Sequence, residues 1–153
     1  MEDVIVESGI NLNLILFWVI CTVVLVILAA VGVWKLFRLF HRPEMHGMSR
    51  EQIAERWKMI RQTSQQGQMG AKLAVMEADT LLDSALKSML MPGMTLGERL
   101  KMAQYKYPNL KNVWWAHKIR NQLVHEASFQ LSTRMASQAL DEFEKAFKIL
   151  NLL

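Results

Sequence analysis

"WWAHKIRNQLVHE", Trp114 to Glu126, gathers two Trp, two His, an Arg and an Asn in one short stretch. No Gly or Pro interrupts it, and its apolar residues recur at helical spacing, which predicts a helix. Successive residues of a helix step by about 100°. With Trp115 at zero, Ile119, Leu123, Ala116 and Ala127 fall within about 0 to 120°, the expected core face. His117, Asn121, Trp114 and His125 fall at about 200 to 280°, and Arg120 and Val124 lie between the two faces, at about 140 to 180°. The exposed side of a helix in a monomer is mostly Glu, Lys and Gln. A Trp, Asn and His stripe is expected to meet something, with Trp114 and Val124 as candidate interface residues. The plainer alternative is that His117 and His125 bond backbone or neighbouring helices and Arg120 is a solvated or salt-bridging Arg.

Working outward, every neighbouring segment also has a helical pattern. Ser49 with Gln52 forms a capping-box pattern that opens a helix at Arg50, with Ile53, Trp57 and Ile60 on one stripe up to about Thr63. A second helix is expected from about Met69 to Leu90, with Ala71, Ala74, Ala78, Leu82, Ala85 and Met89 on one face. "MPGM" ends it, and Met89, Met91 and Met94 read as adaptable core or loop filling. Thr95 with Glu98 is another capping box, opening a short helix with Leu96, Leu100 and Ala103 inward. "YKYPNLKN" is expected to be a loop, with Asn112 capping the helix of the opening stretch. A last helix, 133 to 150, turns Ala136, Ala139, Leu140, Phe143, Phe147 and Leu150 inward. No segment alternates as a strand does. The expected fold is all-α, a bundle of four or five helices over residues 50 to 153.

The N-terminal part differs in kind. Ser8 to Trp34 contains no charged residue, and a membrane-crossing helix needs only about 20 apolar residues. The expectation is a short tail at 1–11, a transmembrane anchor at 12–40 and a linker at 41–49 broken by Pro43 and Gly47. Glu2, Asp3 and Glu7 precede the span, and Lys35, Arg38 and Arg42 follow it. The positive-inside rule then places the N-terminus outside and the C-terminal domain in the cytoplasm, as a single-pass protein of the cell membrane. Trp18 and Trp34 suit the two interfaces. A basic n-region, expected of a cleaved signal peptide, is missing. The single Cys, Cys21, lies inside the span, so an intramolecular disulfide and thiol catalysis are both excluded. Residues 43 to 153 hold 15 Lys and Arg against 11 Asp and Glu, a mildly basic balance that permits contact with nucleic acid or anionic lipid.

Arg120-Asn121-x-x-x-His125 resembles the Arg-x4–6-His motif of HEPN domains, often written with a polar residue right after the Arg. The resemblance covers residues 50 to 150 and leaves out the anchor. It implies a helical bundle that dimerises so that the motif helices of two copies build one composite site, and it implies metal-independent cleavage of RNA. On that reading His125 moves protons near neutral pH, Arg120 stabilises charge on the crowded phosphate, and Asn121 orients His125 or contacts phosphate. Arg120 and His125 diverge by about 140° on one straight helix, which a site shared between two copies relieves. His117, Glu77 and Asp79 are accessory candidates: one carboxylate of "MEADTLLD" (Glu77, Asp79 or Asp83) pairs with Arg120 or His125 across the bundle, the alternative being solvated carboxylates at the helix margin and a His117 packed in the core or an interface. Some HEPN groups carry a Tyr two residues after the His; Ala127 stands there in this chain. The family also has non-catalytic members, so the alternative is a dimerisation or partner-binding module at the membrane. Nucleotide-loop, zincin and CxxC patterns are missing, and neither a metal nor a cofactor is expected.

Overall fold

The computed structural model describes residues 12–40 and 45–153, with side chains described over 15–36 and 45–153. The chain divides into two units at residues 42 and 43. The expected acidic tail, Arg42 and the Pro43 end of the linker lie outside the described residues, as does the side chain of Arg38.

Among the described residues the first unit holds one helix, α1 (Leu12–Phe40). Its Ile15–Leu36 stretch is long and apolar enough to cross a membrane. At 1.5 Å per residue those 22 residues extend about 33 Å, close to the roughly 30 Å of a bilayer's hydrocarbon. Every described side chain of the stretch is exposed, Cys21 included. The hydroxyl of Thr22 donates to the Val19 carbonyl at 2.8 Å, so the helix satisfies this donor internally.

The second unit is built from α2 (Arg50–Thr63), α3 (Gly67–Ser88), α4 (Leu96–Lys106), α5 (Val113–His125) and α6 (Thr133–Ile149), with a 3₁₀ turn at Pro108–Asn112. No strand occurs among the described residues. The Ser49 capping box forms in full, with both the Ser49 and Gln52 side chains bonded to backbone N–H groups. Ser132 caps α6 by accepting from Met135 N. α3 runs through the centre and packs against α2, α4, α5 and α6. Its alanine face explains that position: Ala71, Ala74, Ala78 and Ala85 are buried and let neighbouring helices approach closely. Ile53, Ile60, Leu82, Leu100, Phe143 and Phe147 are fully buried and fill the space between.

Four expectations need correction. α3 begins and ends two residues earlier than its apolar pattern suggested. The "YKYPNLKN" stretch is not a loop: its first residues complete α4, and Pro108 opens the 3₁₀ turn. That turn runs straight into α5, so Asn112 is itself helical (ψ −25°) and its side chain makes no cap bond. At Thr95 only half of the capping box forms. The Thr95 hydroxyl accepts from Glu98 N at 3.2 Å, whereas Glu98 reaches past Thr95 to Met94 N at 2.6 Å.

The end of the linker is fastened to the bundle. His46 N–H donates to the Ser88 carbonyl at 2.7 Å, and Met48 N–H to the Ser88 hydroxyl at 2.9 Å. A Cβ at Gly47 would lie 2.7 Å from that hydroxyl oxygen, which already donates to the Ser84 carbonyl. Gly47→Ala is therefore expected to break this attachment at a cost of about 1 kcal/mol, one net hydrogen bond. Faster limited proteolysis within 45–49, with the helices intact by circular dichroism, is the check.

Candidate functional site

The sequence of α5 decides which of its residues can meet. Its buried residues are Val113, Ala116 and Ile119, with Leu123 packed beside them. The core face is thus centred near Ala116, about 100° round from Trp115. Trp115 is not a core residue. It is 40% exposed and lines a surface cavity of about 570 Å³ with Lys111, Gln138 and Glu142. Ala127 lies beyond the helix end and is exposed. Relative to the true core centre, His117 and Arg120 sit on one flank and His125 lies opposite.

On that flank α3 presents Asp79, whose side chain is 5% exposed. His117 Nδ1 lies 2.6 Å from Asp79 Oδ1. Asn121 Nδ2 lies 3.2 Å from His117 Nε2, and Arg120 Nη1 donates to Asn121 Oδ1 at 3.1 Å. Arg120 Nε stands 3.2 Å from Asp79 Oδ2, an ion-pair distance without the alignment of a hydrogen bond. These four contacts close a ring: Asp79, His117, Asn121, Arg120 and back to Asp79.

The ring fixes its own protons. A guanidinium only donates, so Asn121 must turn its oxygen to Arg120 and its NH₂ to His117. His117 Nε2 then accepts, which leaves the proton on Nδ1 to be donated to Asp79. A single carboxylate thus orients an imidazole with one oxygen and faces a guanidinium with the other. Trp114 packs edge-on to His117, ring centroids 6.1 Å apart, and is half-buried against the core. α4 passes close by: a Cβ at Gly97 would lie 3.7 Å from the Trp114 ring.

Of the residues singled out in the sequence, four come together: Asp79, His117, Arg120 and Asn121. The pairing of a carboxylate from "MEADTLLD" with Arg120 is present, and Asp79 supplies it. Glu77 does not join. Two residues along a helix is a turn of about 200°, and Glu77 lines a different cavity with Met48 and Arg56. Asp83 serves another purpose, holding the buried Arg99 of α4 at 2.7 Å and Lys87 at 2.7 Å. His125 is the last residue of α5 and is exposed, as is Val124 beside it. His117 has more partners than its accessory standing suggested. Its link to Asp79 joins residues 38 apart in sequence, which no local pattern signals.

Among the described residues no group of three or more His, Cys, Asp or Glu is placed to hold a metal ion. Comparison with protein-family models, with curated proteins and with solved structures finds no match to this chain.

Proposed function

We propose that this chain is a membrane-tethered, HEPN-like helical domain that cleaves RNA without a metal, at a site completed by a second copy of itself. What carries this reading is the division of labour on α5. Arg120 and Asn121 are held in a ring anchored by a buried carboxylate, while His125 stands free on the outer face of the same helix. A two-fold contact along α5 brings the His125 of each copy toward the other copy's Arg120. The exposed Val124 lies on this contact.

The chemistry follows from the side chains. One His125 takes the proton of a ribose 2′-OH as its oxygen bonds to phosphorus. The bond from phosphorus to the 5′-oxygen breaks, and the second copy's His125 protonates that leaving oxygen. Arg120, already oriented, stabilises the negative charge that builds on the phosphoryl oxygens. The products are a 2′,3′-cyclic phosphate and a 5′-hydroxyl. α1 serves as the anchor, with the basic side, Lys35 onward, at the cytoplasmic face of the cell membrane.

A second reading has its own support. Asp79 balances the charge of Arg120 within one protomer, which a purely structural ring would also do. On that reading α5 is a dimerisation or partner-docking face without catalysis.

The test is cleavage of single-stranded RNA by the full chain in lipid nanodiscs with chelator present. His125→Ala is expected to slow it by about a hundred-fold, the usual worth of a proton-transfer group. Cyclic-phosphate ends should appear on the products. Intact RNA beside a folded dimer would favour the second reading; a monomer at high concentration would overturn the composite site and the dimer, leaving only a docking face for another partner.

A further inference from the structure

α3 ends in an unusual way. Leu90 N–H donates to the Lys87 carbonyl and Met91 N–H to the Leu86 carbonyl, the paired bonds of a Schellman cap. The residue at the turn of such a cap adopts the left-handed conformation and is usually Gly. Here it is Leu90, at φ +56°, a residue 65% exposed. A leucine gains nothing in water at this position, since the backbone conformation disfavours a Cβ and the side chain buries little surface.

Four residues on, Met94 is 87% exposed. It is not a loose end. Its N–H donates to Glu98 Oε2 at 2.6 Å, and its carbonyl accepts from Arg99 Nη2 at 3.3 Å. Arg99 is itself buried and paired with Asp83. The loop "LMPGM" therefore holds two large apolar side chains outward on a fixed backbone. Its backbone donors are also largely accounted for: those of Leu90, Met91 and Met94 are bonded within the protein, and Pro92 has none. Each backbone donor satisfied within the protein lowers the cost of entering the interfacial layer, where water still reaches the loop's carbonyls.

Connectivity supplies the neighbour. His46, bonded to Ser88 at the same end of α3, is six residues after Phe40, where α1 ends. Six residues reach at most about 20 Å. We propose that the Leu90–Met94 loop is a bilayer-docking wedge: Leu90 and Met94 enter the interfacial layer of the membrane that α1 crosses. This rests on the reading of α1 as a membrane-spanning anchor. Its effect is to hold the bundle by two points instead of one.

The experiment uses the full chain with Cys21→Ala and single cysteines carrying an environment-sensitive fluorophore, in phosphatidylcholine vesicles containing anionic phosphatidylglycerol. Acyl-chain doxyl lipids act as the quencher. Leu25→Cys reports the anchor, Met94→Cys the loop, and Met69→Cys, near the opposite end of α3 and 75% exposed, serves as the control. Quenching at Leu25 and several-fold stronger quenching at Met94 than at Met69 is the expected result. Quenching at Leu25 with Met94 and Met69 alike overturns the wedge and leaves the anchor standing. A shielded Met94 label that doxyl lipid does not quench, as a second copy on the loop would give, also overturns it. No quenching at Leu25 overturns the anchor reading and the wedge with it. Leu90→Gly supplies a second measure: it is expected to raise the unfolding midpoint of the bundle while weakening quenching at Met94.

Discussion

Asp79→Ala is expected to destabilise the bundle by about 3 kcal/mol, at the low end for breaking a buried ion pair. The carboxylate is 5% exposed and is bonded to His117 and paired with Arg120. Its removal leaves an imidazole N–H and a guanidinium facing an apolar hole. Arg120 keeps 29% exposure and can turn toward water, which is why the upper end is not expected. A domain of this size should then lose at least about 12 °C of melting temperature, read by thermal circular dichroism. Asp79→Asn should cost less, because an amide oxygen still accepts from one of the two donors. Joint replacement by Asp79→Leu and Arg120→Leu should recover part of the loss, since paired buried charges exchange for apolar groups at little cost, while the His117 N–H stays without its acceptor. A midpoint within about 2 °C of the parent for Asp79→Ala would remove the ring from any structural role.

The other large effect lies in the core. Phe143→Ala deletes a fully buried ring and is expected to cost about 3 to 5 kcal/mol, from lost burial plus the cavity left behind. The neighbouring contact of Trp57 with Phe147, centroids 5.3 Å apart, ties α2 to α6 and limits how far the hole can collapse. Phe143→Leu keeps most of the volume and should cost about 1.5 kcal/mol or less. Urea titration of the tyrosine and tryptophan signal measures both. A lowered midpoint with unchanged slope identifies lost stability rather than a changed denatured state.

What could be read without coordinates followed from local chemistry. The Ser49 capping box placed the start of α2, because the residues that satisfy the first N–H groups are adjacent in sequence. The alanine face of α3 and the phenylalanines of α6 were legible because a 3.6-residue period survives any tertiary arrangement. Trp115 was misplaced because α5 has two apolar flanks, and only its neighbours decide which one is covered. Asn112 was misread as a cap because the 3₁₀ turn before it cannot be told from a loop by composition. Arg120 and Asn121 stand out as motif residues, and the sequence offers three carboxylates on α3 without saying whether any of them pairs with Arg120, pairs with His125 or stays in solvent. That Asp79 rather than Glu77 pairs with Arg120, and also holds His117, depends on how α3 and α5 rotate against each other. Rotation of that kind is set by packing across the whole bundle.

The central place of α3 has a consequence for how the domain comes apart. Each of the other four helices rests on it, although α5 and α6 also pack on each other. Losing α3 would uncover the buried face of all four, so the opening of this small domain should be all-or-none. Amide protons near the middle of α3 should exchange with solvent only through global unfolding, and their exchange free energy should equal that of the whole domain.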